Sequence, residues 1–171
     1  MQAADLPQGE NHMGKKPEKT NAMRVLDREK VPYEPFYFSP EIHSATGVAE
    51  AVGIPANRVF KTLVVIRPKS HPLLVMVPGD KHLSLKKLES ATSFKGLRMA
   101  TLQEAEKLTG LKVGGISALA LLGKRFYVYI DASALRFDEI LVSAGKRGIN
   151  IKLPVNELIR ITKATPVEVA V

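Results

Sequence analysis

Two hydrophobic periods alternate along this chain, and their order predicts its architecture. Ala22, Val25 and Leu26 recur at helical spacing within residues 21–30, giving a short amphipathic helix with one apolar face. The prolines of VPYEPFYF bias their predecessors away from helix, so residues 31–38 read as extended chain. Ala45, Val48, Ala49 and Val52 return to the helical period, with Ser44 or Thr46 to cap the start and Gly53 to supply a left-handed stop. RVFKTLVVIRP and HPLLVMVPGD then carry near-continuous apolar runs joined by the turn-forming PKSHP. They predict two strands of a sheet covered on both faces, hence central strands.

Further along, LSLKKLES predicts a helix. TLQEAEKLTG predicts a firmer one, because Thr101 and Glu104 have the spacing of a capping box and Gly110 can end it. RFYVYID, EILVSAG and INIKL read as strands, KRG as a tight turn, and PVNELIRIT as a closing helix with Pro154 in its first turn. Strands and helices in this mixture, spread over 171 residues that are 45% hydrophobic, fit one mixed α/β domain with its own core. That domain is expected over 21–171. Residues 1–20 are polar and aperiodic, with two prolines and two glycines, and are expected to be a disordered arm or an appended extension.

Composition narrows the function classes. Cysteine is absent, which excludes disulfides, thiolate metal sites and a cysteine nucleophile. No apolar run approaches the ~18 residues that span a bilayer, and the N-terminal stretch lacks the apolar core of a signal peptide, so a cytoplasmic protein without membrane contact is expected. A formal net charge of +8 favours a polyanionic partner through long-range attraction and counterion release, with plain solubility as the alternative. Aromatic residues make up only 6%, tryptophan is absent and no aromatic–basic alternation occurs, so a platform for stacked bases is not expected.

Most familiar chemistries fail on spacing. His12, His43, His71 and His82 form no HxxxH or HxxEH pair, so no metal is expected. No GxSxG elbow occurs, and LLGKR departs from a phosphate-binding loop at Ala118 and Arg125. Three polar interruptions of apolar segments remain. Lys61 shares a strand face with Val59, Leu63 and Val65, where it either snorkels at a sheet edge or points its ammonium into a cleft. Gly114 and Gly115, ahead of Ser117 and Ala118, make either a plain turn or a backbone ledge that approaches a ligand closely and aims its amides inward. SAGKRG, from Ser143 to Gly148, is either a hairpin turn or a strand end presenting a hydroxyl and two cations.

Taken in order, FKTLVV, GGIS and VSAGKRGINIKL, with HSATGVAEAVGI before them, resemble the YbaK/EbsC family, free-standing relatives of the editing domain of bacterial prolyl-tRNA synthetases. The resemblance implies a compact α/β domain around a mixed, partly closed sheet flanked by helices. It implies hydrolysis of the ester of mischarged aminoacyl-tRNA, typically tRNA for proline carrying cysteine, alanine or another small amino acid, without metal or nucleotide cofactor. The acceptor end of tRNA is the implied substrate partner, with prolyl-tRNA synthetase as a candidate protein partner. Carried over by position, Lys61, Gly114 and Gly115 are the implied catalytic residues. His43, Phe38, Ile116, Ser117, Ser143 and Gly145 are implied in substrate binding, and Lys146 and Arg147 in tRNA binding. The chain departs from the family at Ala118 and Ala120, where a loop proline and a glycine often stand, and at Phe38, where some members carry tyrosine. A tRNA-binding module that keeps the fold without turnover is the alternative the altered loop supports.

Overall fold

Thr20 turns its hydroxyl onto the Met23 amide (3.2 Å) and so starts helix α1 (Asn21–Arg28), which buries Ala22, Met23, Val25 and Leu26. Lys19 pairs with Asp27 on the same helix. The structure, a computed structural model, describes residues 19–171; the arm expected over 1–20 otherwise lies outside the described residues. Lys19 and Thr20 belong to the folded unit.

After α1 come β1 (Glu34–Tyr37), α2 (Ala45–Val52), β2 (Phe60–Ile66), β3 (Leu73–Pro78) and α3 (Leu85–Thr92). They are followed by β4 (Arg98–Met99), α4 (Leu102–Thr109), β5 (Tyr127–Asp131), β6 (Glu139–Lys146), β7 (Ile149–Pro154), α5 (Val155–Thr162) and β8 (Thr165–Val167). The caps read from sequence are present: Ser44 accepts from the Gly47 amide, Gly53 closes α2 at φ 74°, and Thr101 and Glu104 complete both halves of the capping box. Pro154 differs from expectation. It ends β7 and serves as the N-cap of α5, so the first turn begins at Val155.

The strands divide into two sets. One sheet is antiparallel in the order β1-β7-β6, and the other is mixed in the order β4-β2-β3-β5-β8, with β3, β5 and β8 parallel. Among the described residues one isolated bridge, Val59 to Leu141, joins the start of β2 to β6. β3 is buried along its whole length, with Leu74 and Met76 in the main core and Leu73, Val75 and Val77 packed with Leu88 of α3 on the opposite face. That is the two-sided covering its sequence predicts.

β2 is different. It pairs with β3 from Phe60 to Val65, but on its other side β4 reaches only Val65 and Ile66. The first half of β2 is therefore an edge and not the central strand its apolar run suggested. Neither β4 nor β8 was signalled by periodicity, since strands of two and three residues are too short to show one.

Candidate active site

The open edge of β2 borders a cleft of about 620 Å³. Ala100 donates to the Val64 carbonyl at 3.0 Å, so by the alternation of a strand the backbone groups of Thr62 point out of the same edge, beyond the reach of β4. Lys61, Thr62 and Leu63 line this wall, and the start of α4 closes one end through Thr101 and Leu102. Val113, Gly114 and Ile116 form another wall, together with the facing pair Ser143 and Asn150 of β6 and β7.

Lys61 is half-buried, and its Nζ donates to the Gly79 carbonyl at 3.4 Å. Burial pulls its pKa below the ordinary lysine value, while the charge of Asp80 works against the fall. Gly79 owes its place to crowding. A Cβ there would lie 2.8 Å from Ala45 Cβ and 2.9 Å from the Val59 carbonyl, so only glycine lets the turn after β3 press against α2 and hold its carbonyl beneath the lysine. The PGD following the strand was the available signal for this turn, but nothing in it indicates the contact.

The GGIS stretch resolves into a turn with a defined task for each amide. Gly115 donates to Lys112 at 2.8 Å, closing a turn whose third residue, Gly114, sits at φ 96°. Among the described residues, neither the Gly114 nor the Ile116 amide has a hydrogen-bond acceptor in the protein, and both residues line the cleft. Gly115 does not line it. A Cβ on Gly115 would lie 2.8 Å from the Arg147 nitrogen, so this glycine lets the turn lie flat on the β6–β7 hairpin. Of the two glycines singled out in the sequence, Gly114 alone lines the cleft, and Gly115 spends its amide inside the turn.

The remaining residues separate in the same way. His43 lies at the start of α2 against Gly114, where a Cβ on the glycine would come within 3.3 Å of His43 Cα, and His43, Ile116 and Ser143 all line the cleft. Ser117 is buried behind it and accepts from the Ala120 amide at 3.2 Å, and Gly145 packs against Ala120. Arg147 directs Nε to the Val113 carbonyl at 2.7 Å, bracing the turn, and Lys146 precedes it at the tip of the hairpin. Phe38 packs beside α2, with its amide on the Gly148 carbonyl. Ala118 and Leu119 enter the main core.

Two polar groups were missed. Thr62 Oγ1 is buried without a partner, and Asn150 is only 5% exposed with no side-chain hydrogen bond among the described residues, yet both line the cleft. A buried polar group without a protein partner is costly and marks a place where a ligand or water is taken up. A threonine and an asparagine inside strands carry no such label in sequence.

Residues 39–161 match the family model of the aminoacyl-tRNA editing domain. This chain belongs to that family. EbsC of Enterococcus faecalis, named as a candidate Cys-tRNA(Pro)/Cys-tRNA(Cys) deacylase, is 40% identical over 89% of this chain and 93% of its own length. The proline–tRNA ligase of Fervidobacterium nodosum is 25% identical over 58% of this chain, which corresponds to 17% of that much longer protein. A solved structure described as a candidate trans-editing enzyme for prolyl-tRNA synthetase superposes with a TM-score of 0.75 at 24% identity, covering 90% of this chain and 98% of the other, and so shares the fold. Membership of the editing family matches the resemblance read from FKTLVV, GGIS and VSAGKRGINIKL.

Proposed function

We propose that the chain hydrolyses the ester of mischarged aminoacyl-tRNA in trans, on tRNA for proline carrying a small amino acid. The observation that carries this reading is a single cleft lined both by a cationic side chain, Lys61, and by two residues whose backbone amides have no protein acceptor among the described residues, Gly114 and Ile116. An aminoacyl ester is already activated, so the site needs to position water and stabilise the oxyanion that develops; it needs no nucleophile of its own.

In this reading the ester carbonyl oxygen accepts from Gly114 and Ile116, donors fixed before the substrate arrives. Lys61 adds positive potential and holds the terminal ribose or its phosphate. Thr62, Ser143 and Asn150 orient the substrate amino group and the attacking water. Water oxygen adds to the carbonyl carbon, the ester C–O bond breaks, and the water proton passes to the departing ribose oxygen. The products are a free amino acid and a tRNA with its terminal ribose hydroxyl restored.

The alternative of a binding module without turnover rested on Ala118 and Ala120. Both lie behind the cleft, and Ala118 has φ −63°, the value a proline would impose, so the loop keeps its course without one. The test is a deacylation screen over tRNAs carrying different amino acids, with and without prolyl-tRNA synthetase. Turnover on a small-amino-acid ester of the proline tRNA is expected. Tight tRNA binding with no turnover on any ester would return the binding-module reading.

A further inference from the structure

At the end of β2 remote from Lys61, three separate segments bring a cation and aromatic rings together. Arg67 lies over the Phe94 ring, 3.5 Å from its centroid, and 5.5 Å from that of Tyr127. Phe94 and Tyr127 are tilted at 55° with centroids 5.5 Å apart, and His71 lies 6.3 Å from Tyr127. The loops meet directly, since a Cβ on Gly96 would lie 3.3 Å from the Pro68 ring and the Tyr127 amide donates to Pro72. Phe94 is half-buried at the edge of the smaller core, but Tyr127 stays 37% exposed.

We propose that Tyr127, backed by Phe94 and Arg67, is a stacking platform for an unpaired nucleobase of the bound tRNA, with Lys69 and Lys95 taking adjacent phosphates. The proposal rests on the tRNA reading above. Charge supports an RNA occupant: the segments RPKSH, FKG and RFY contain no acidic residue, and Lys69 and Lys95 are exposed. Geometry supports the same molecule reaching both places. Arg67 directly follows the last residue of β2, six residues from Lys61 and so at most roughly 20 Å away at ~3.3 Å per residue. Unstacked nucleotides advance further per step than the ~3.4 Å of a stacked strand, so the unpaired acceptor end covers that distance when its bases are splayed apart. Base stacking tolerates any sequence, so the platform would add affinity without reading identity. The residues were invisible as a unit in the sequence because Arg67, Phe94 and Tyr127 come from distant segments.

The test measures binding of an uncharged proline tRNA transcript and of a blunt RNA duplex with the acceptor-stem sequence. Tyr127→Ala should weaken tRNA binding by about 5- to 150-fold, the range for losing one base–aromatic stack, with the salt slope unchanged and the blunt duplex unaffected. Tyr127→Phe should restore affinity, since the ring and not the hydroxyl is used. Lys69→Glu combined with Lys95→Glu should weaken tRNA binding and flatten its salt dependence. This exposed pair decides the matter if Tyr127→Ala melts. Wild-type turnover with unchanged tRNA affinity in these variants overturns the platform alone, as does an equal loss on the blunt duplex. No tRNA binding by the wild type overturns both the platform and the deacylase.

Discussion

One part of the cleft is lined by side chains on an open strand edge; another is lined by a turn that carries backbone amides without a protein acceptor among the described residues. Lys61 and Thr62 extend from β2 beyond the reach of β4, and both line the cleft at that open edge. Gly114 and Ile116 offer amides only because the turn from Lys112 to Gly115 rests on the β6–β7 hairpin and is braced by Arg147. A side-chain wall can lose its group and keep its shape. A backbone wall has nothing to truncate, so changes there act through geometry.

The sharpest break of this contrast is expected at Lys61. Lys61→Ala removes the cation but no core packing, so single-turnover deacylation should fall by about 10³-fold with the melting temperature nearly unchanged. Near wild-type rates in this variant would leave the side-chain wall without a catalytic part.

The neighbouring glycines separate the two kinds of backbone dependence. Gly114→Ala places a Cβ at φ 96° and 3.3 Å from His43, which costs about 1–2 kcal/mol of stability and turns a donor away, with a loss of rate per folded molecule of about 10². Gly115→Ala meets backbone at 2.8 Å and should lower the melting temperature more, while the rate per folded molecule stays within a few-fold. Melting and single-turnover rates on both preparations check this. Equal rate losses would mean that the turn acts as one unit and that the assignment of amides within it is wrong.

How much of this was legible in the sequence follows the same division. Helices, caps and the long strands declared themselves through period and capping residues, as at Ser44, Gly53 and Thr101. The cleft did not, because it exists where β4 fails to extend along β2, and a missing strand partner leaves no trace in the sequence of the strand that lacks it. The glycine motifs lie around the cleft, yet Gly115 is there for close packing, and Gly145 and Gly148 combine close neighbours with a positive φ. Motif spacing cannot distinguish a glycine that faces a ligand from one that faces a neighbouring backbone. Asn150 and Thr62 were hidden for a related reason: each is an ordinary strand residue until its lack of a partner is seen.

The smallest expected effect concerns the charge that stabilises the side-chain wall. Burial lowers the pKa of Lys61 below the ordinary lysine value and Asp80 opposes that shift, so the folded lysine gives up its proton at a lower pH than it would in an unfolded chain. Between the two values the unfolded chain binds more protons, so the burden Lys61 places on the fold is full below its folded pKa and is relieved progressively as pH rises from there to the unfolded value. Activity runs the opposite way. If turnover needs the ammonium, it declines as pH rises through that same folded pKa, giving an alkaline limb below the ordinary lysine range. Asp80→Asn removes the opposing charge and should move this limb to still lower pH, with little loss of rate on the acidic side of it. The measurement is the pH dependence of single-turnover rates after subtracting spontaneous ester hydrolysis. Because the turn wall contributes amides that do not titrate, Gly114→Ala should lower the whole profile without moving its limb. A limb that stays in place in Asp80→Asn, or moves upward, would assign the titration to a group other than Lys61 and remove the electrostatic distinction between the two walls.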